Sequence, residues 1–110
     1  MEITIFNALS EPNRMRIVDL LLDGPLTVGE IADRLGLRQP QASKHLRILL
    51  EAGLVEVHAA ANRRHYKLRT EPFQALDAWL EAYRDVLEER FDQLEQYLKK
   101  MRAREEGRTE

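Results

Sequence analysis

A mainly α chain with one two-stranded β-hairpin and a long closing helix is the fold class this sequence predicts, on three observations. Apolar residues recur at helical spacing, between recognisable caps, through the first half of the chain. The period drops to two between Leu54 and Leu68. Beyond Glu71-Pro72 it becomes a seven-residue repeat that reaches Met101.

Ile3, Phe6 and Leu9 fall on one helical face and predict a short first helix. Ser10 is placed as the N-cap of a second, with Pro12 in the first turn, where a missing N–H costs nothing. Met15, Ile17, Val18, Leu21 and Leu22 form that helix's stripe, and Gly24-Pro25 stops it. Thr27-Val28-Gly29-Glu30 matches a capping box. It opens a helix with Val28, Ile31, Ala32 and Leu35 facing inward, and Gly36 suits the left-handed residue that ends it. Leu37-Arg38-Gln39 makes a turn, and Pro40 sits near the start of the next helix. Ala42, Leu46, Leu49 and Leu50 are its buried stripe, and Gly53 ends it. A capped helix, a tight Gly turn and a longer helix starting at Pro form a helix-turn-helix pattern.

In the period-two stretch, a hairpin turning at Ala61-Asn62 pairs Val57 with Tyr66 and Val55 with Leu68 on a buried face. The same register sets Glu56 opposite Lys67 on the exposed face. Following a helix-turn-helix, such a hairpin is a wing. In the last helix Phe73, Leu80, Leu87, Leu94 and Met101 recur every seven residues, with Leu76, Tyr83, Arg90 and Tyr97 as the second row. Phe91 and Leu98 widen the stripe, while Phe73 and Leu76 also lie close enough to reach the domain core. Four heptads exceed what so small a core needs, so a second copy is expected against Ile3, Phe6, Phe73, Leu76, Leu80, Tyr83, Leu87 and Leu94. Residues 1–101 are expected to form one winged helix-turn-helix domain with its dimerisation helices, and 102–110 a frayed, charged tail.

The chain has 110 residues, no cysteine and a formal net charge of −2. The missing thiols exclude disulfides, thiolate metal sites and a Cys nucleophile. Neither a signal peptide nor a membrane span is visible, so a soluble, cytoplasmic protein is expected. No Gly-rich phosphate loop, Ser/His/Asp set or metal-ligand cluster appears, so neither an enzyme nor a cofactor is expected. Charge is unevenly spread. Residues 1–37 carry 3 bases and 6 acids, residues 38–69 carry 7 bases and 2 acids, and residues 70–110 carry 7 bases and 11 acids. A basic module of +5 thus lies between segments of −3 and −4, which lets an acidic protein present a phosphate-binding surface.

The helix starting at Pro40 presents Gln39, Gln41, Ser43, Lys44 and Arg47 opposite its buried stripe, with no acid before Glu51. Amide and basic side chains of this kind suit base edges and phosphates, and Arg38 adds a cation at the turn. Double-stranded DNA is therefore the expected partner, with Arg63 and Arg64 reaching it from the wing. Strand parity points Arg63 outward with His65 and Lys67 and puts Arg64 on the other face. His45 is either a DNA contact or a packing residue. His58 stands opposite His65, which offers two metal ligands at most, so no metal is expected there. Two other readings stand beside DNA binding. One is a winged-helix protein-interaction module; the other is a sensor of a small apolar ligand near Trp79 and Tyr83.

The runs from Phe6 to Arg14, Leu26 to Ala32, Gln39 to Leu46, Glu51 to Val55 and Arg64 to Leu68 together resemble the ArsR-type (arsenic-repressor-like) winged-helix transcriptional regulators of bacteria and archaea. The resemblance implies a homodimer joined by its first and last helices, operator binding, and repression relieved by an effector, here unknown. Many such proteins sense metals through cysteines at positions that match Thr27 and Gly29 here. Others use Asp and His on the last helix, and this chain has no histidine after His65. The resemblance therefore implies a member without either usual metal site.

Overall fold

The computed structural model describes residues 3–108 and divides at Leu76–Asp77 into two compact units. In order they contain α1 (Ile3–Leu9), α2 (Pro12–Leu20), a 3-10 turn (Leu21–Asp23), β1 (Leu26–Thr27), α3 (Val28–Leu35), α4 (Gln39–Glu51), β2 (Val55–Ala60), β3 (Arg63–Leu68) and α5 (Thr70–Arg108). The first unit holds the core and everything up to the start of α5. Ile17 of α2, Ile31 of α3, Leu46 and Leu49 of α4, then Leu54 and Val55 entering β2, are its fully buried large side chains. Burying each contributes roughly 1.5–3 kcal/mol.

Local chemistry sets the boundaries. Thr27 Oγ1 accepts the Glu30 N–H at 3.2 Å while Glu30 Oε1 accepts the Thr27 N–H at 3.0 Å, so the capping box opens α3 as expected. Gly36 ends α3 at φ +66°, a conformation only glycine adopts cheaply. With Gly36 left-handed, the Leu37 N–H turns back to Ala32 O at 2.9 Å. Gly53 repeats the device after α4 at φ +75°, with Leu54 N donating to Leu49 O at 3.0 Å. The chain thus reverses tightly twice, once at each end of α4, and the first reversal is the turn of the helix-turn-helix.

The hairpin register is the expected one: Val55↔Leu68, Glu56↔Lys67, Val57↔Tyr66 and His58↔His65. Ala61 (φ +50°) and Asn62 (φ +64°) make the turn, which two left-handed residues fit to the twist of the strands. The sheet, however, has three strands rather than two, in the order β1-β3-β2, with Leu26↔Tyr66 and Thr27↔His65. Two residues are too few to show a period, so β1 left no pattern in the sequence. It anchors the wing to the entrance of α3.

Three other expectations are corrected. Glu11, not Ser10, caps α2: its carboxylate accepts the Arg14 N–H at 2.9 Å, while the Ser10 hydroxyl donates to Asn7 O at 2.7 Å. No correction falls on α1, which buries Ile5 and Ala8 in the core and leaves Ile3 and Phe6, the residues expected at a dimer interface, exposed. Met15 and Leu22 are likewise exposed, leaving Ile17, Val18 and Leu21 as the buried part of the second stripe. The charged tail expected from 102 onward is helical as far as Arg108, and Thr109 and Glu110 lie outside the described residues.

The second unit is α5 from Asp77 onward, and its described side chains are exposed throughout. Arg84 bridges Asp77 at 2.6 Å and Glu81 at 2.7 Å, and the Trp79 and Tyr83 rings pack with centroids 4.8 Å apart. In the first unit Phe73 is half-buried against the core, as expected. Among the described residues no helix is long and apolar enough to cross a membrane.

Candidate nucleic-acid interface

The interface is built on α4. Ala42, Leu46 and Leu49 are buried, which fixes the helix's rotation and turns Gln39, Gln41, Ser43, Lys44 and Arg47 outward, all exposed. Arg38 is the N-cap residue; its N–H donates to Gln41 Oε1 at 3.1 Å, closing half of a capping box. A guanidinium has no lone pair to complete the other half, so the Arg38 side chain is left to solvent. No acid stands in the first turn of α4. Its leading N–H groups and the positive end of its dipole add to the cations there.

The wing meets this face. A cleft of about 630 Å³ between α4 and β3 is lined by Ser43, Lys44, Arg47, Arg64 and Tyr66, with Pro40 and Leu50. A second, of about 510 Å³, joins the start of α3 at Thr27, Val28 and Gly29 to Gln39, Ser43, Arg63 and Arg64. No acidic residue lines either. Arg38 and Gln41 are exposed beside these clefts without lining them. The structure thus brings Gln39, Ser43, Lys44, Arg47, Arg63 and Arg64 into one concave, cationic surface.

Two of the expected residues sit differently. His45 turns from the α4 outer face toward α2: its side chain is 18% exposed, and Nδ1 lies 3.7 Å from Glu11 Oε2, beyond hydrogen-bond range. It is a packing residue beside the α2 cap and lines neither cleft. Arg64 is the better placed of the wing arginines, since it lines both clefts. It shares the parity of Tyr66, whose ring is buried beside the helices, and that parity was the available signal. Sequence reasoning missed the contribution of Thr27 to Gly29, because it depends on β1 tying the start of α3 to β3.

Away from this face, Glu56 Oε1 lies 3.4 Å from His58 Nε2 and 3.3 Å from Lys67 Nζ. The His58 contact, then Lys67, holds the Glu56 carboxyl below its ordinary range. His58 and His65 line a separate shallow pocket with Pro25, Ala60 and Lys67. Among the described residues no three potential ligands gather to hold a metal.

Known proteins resemble this chain in sequence and in fold. A model of a helix-turn-helix domain matches residues 9–58. The transcriptional repressor SdpR of Bacillus subtilis is 36% identical over 76 residues, which span 69% of this chain and 84% of that protein. The crystal structure of the ArsR family transcriptional regulator RHA00566 superposes with a TM-score of 0.65 at 33% identity, covering 77% of this chain and 88% of that one. The chain belongs to the ArsR family. ArsR-family proteins are winged helix-turn-helix transcriptional regulators rather than enzymes, and the α3–α4 pair and the β2–β3 wing are that architecture here. The solution structure of the homodimeric winged helix-turn-helix DNA-binding domain of Mb0332 from Mycobacterium bovis, a possible ArsR-family regulator, is similar at a TM-score of 0.62. It is 32% identical, over 74% of this chain and 76% of that one.

Proposed function

We propose that this chain is a cytoplasmic, non-enzymatic repressor that binds an inverted-repeat DNA operator as a homodimer. The observation that carries the reading is the acid-free concave surface shared by Ser43, Lys44 and Arg47 of α4 with Arg63 and Arg64 of the wing. In this reading α4 enters the major groove, Gln39, Gln41 and Ser43 meet base edges, and the cations hold phosphates on either side. Arg38 reaches a phosphate at the mouth of the groove. His45 plays no direct part, since it packs beside Glu11. A two-fold dimer sets two such helices roughly 34 Å apart, one turn of DNA, and the symmetry of the protein then demands a palindromic site. The repressor name of the Bacillus subtilis relative supports the direction of regulation.

The test is fluorescence anisotropy with a palindromic site selected from random duplexes. Affinity should fall steeply with salt, as phosphate contacts release counterions. An affinity insensitive to salt, or equal for all duplexes, would leave the basic surface without a role in recognition.

A further inference from the structure

An N-cap residue ordinarily satisfies the first turn of its helix with a side-chain oxygen. At α4 that place is held by Arg38, whose guanidinium has no acceptor to offer. The side-chain bond that closes the turn comes instead from three residues on, where Gln41 Oε1 accepts the Arg38 N–H at 3.1 Å. Gln41 is thus tied to the helix start. It is also exposed, one turn before Lys44, in the first turn of the helix that carries the cationic surface. In a helix-turn-helix, the N-terminal residues of that helix contact base edges.

These two positions constrain each other. A backbone N–H can be met only by the oxygen of a side-chain amide, never by its NH2, so the cap fixes which way the Gln41 amide faces. The oxygen is engaged, while Nε2 keeps two N–H donors with no partner among the described residues. Gln39 makes no side-chain hydrogen bond among the described residues, so its amide is free to turn either way. A free glutamine pairs with adenine through both ends of its amide, one to N6 and the other to N7. For Gln41 that pairing would take the acceptor from the Arg38 N–H just as the interface excludes water, and an orphaned buried donor is costly.

We propose that Gln41 reads DNA as a donor only, selecting the keto bases guanine and thymine against the amino bases adenine and cytosine. This rests on the DNA binding of the proposed function and adds to it the chemistry of one operator position. In the major groove guanine O6 and thymine O4 accept hydrogen bonds, whereas adenine N6 and cytosine N4 carry donors that would face the donors of Gln41. Guanine, with N7 beside O6, offers an acceptor to each N–H and is the preferred base.

The experiment compares the wild type with Gln41→Glu and Gln41→Met, by selection from a random duplex pool and by thermal melting without DNA. Glutamate keeps an oxygen for the Arg38 N–H and exchanges the donor for an acceptor. Methionine has a similar length and helix propensity but supplies neither. Without DNA, Gln41→Glu should melt at or above the wild type, since a carboxylate also suits the positive end of the helix, and Gln41→Met a few degrees lower. In the selection, one position of each half-site should turn from guanine or thymine to cytosine or adenine in Gln41→Glu. The ratio of keto to amino affinity there should fall at least about tenfold, and Gln41→Met should show little preference. Comparing bases within each protein removes the uniform weakening that the added negative charge brings. Adenine at that position in the wild type would mean that the amide turns to pair with it, and would overturn the proposal. An unchanged melting temperature in Gln41→Met would remove the cap bond and the proposal with it. The same inverted repeat from all three proteins would put Gln41 off the bases while leaving the proposed function intact, whereas a wild type that enriches no sequence would remove both.

Discussion

Lys44 and Arg47 sit about one helical turn apart on the outer face of α4, and both line the cleft that Arg64 closes from the wing. If Lys44 binds phosphate, Lys44→Ala should weaken every duplex alike; if it reads a base, it should relax one operator position by about 1–3 kcal/mol. Titration of operator variants separates these outcomes, and unchanged binding to all of them would place Lys44 outside the interface. Arg64→Ala removes one phosphate contact from each protomer and should lower the slope of log affinity against log salt by about 2 for the dimer. Arg63, which lines one cleft only, should matter less; the reverse order would contradict the geometry of the wing. Glu30 makes a pH-dependent contribution to folding. The Thr27 backbone N–H, then its hydroxyl, holds the Glu30 carboxyl below its ordinary 4.5. Its stabilisation is therefore fully present above that value and is lost as pH falls through the lower folded one. The stability difference between the wild type and Glu30→Gln should shrink on acidification below 4.5. A difference constant with pH would contradict the capping role.

Among the elements, the hairpin holds its own strain. Ala61 is left-handed at φ +50°, a region that costs a side-chain-bearing residue about 1–2 kcal/mol. Ala61→Gly should raise stability by about 0.5–1 kcal/mol after the added chain entropy, read from urea unfolding; a loss of stability would mean that the turn is not strained. The same hairpin shows what was legible in the sequence. Its two faces agreed on one register, and a one-residue slip would have exposed Val55 and Tyr66. The capping box of α3 was legible because it needs only Thr27 and Glu30 three residues apart. Less local features were hidden. β1 is defined by pairing with β3, about forty residues away in sequence. The face that α1 buries in its own core, Ile5 and Ala8, is set by what it packs on, and the regular spacing of Ile3, Phe6 and Leu9 gave no sign of it. His45 was ambiguous because its neighbour Glu11 lies on another helix. The cationic surface was legible as charge along the chain, and only folding showed that Arg64 faces α4.

At the scale of the molecule, the exposed stripe on α5 and the cationic surface of the first unit make two demands that a two-fold dimer meets together. Leu80→Glu should give a monomer in sedimentation and weaken operator binding by at least about tenfold, since each half-site would then bind alone. Tight palindrome binding by a monomeric variant would detach DNA recognition from dimerisation. The claim that sequence-specific DNA is the partner remains the centre of the account, and one measurement tests it most directly. The chain is incubated with a random pool of double-stranded DNA, bound duplexes are recovered and amplified, and the enriched site is retitrated at several salt concentrations. The account predicts an inverted repeat with half-sites about one helical turn apart, bound with a steep salt dependence. No enrichment at low salt, from protein shown to be folded and dimeric, would contradict it and point to a protein partner for the same surface.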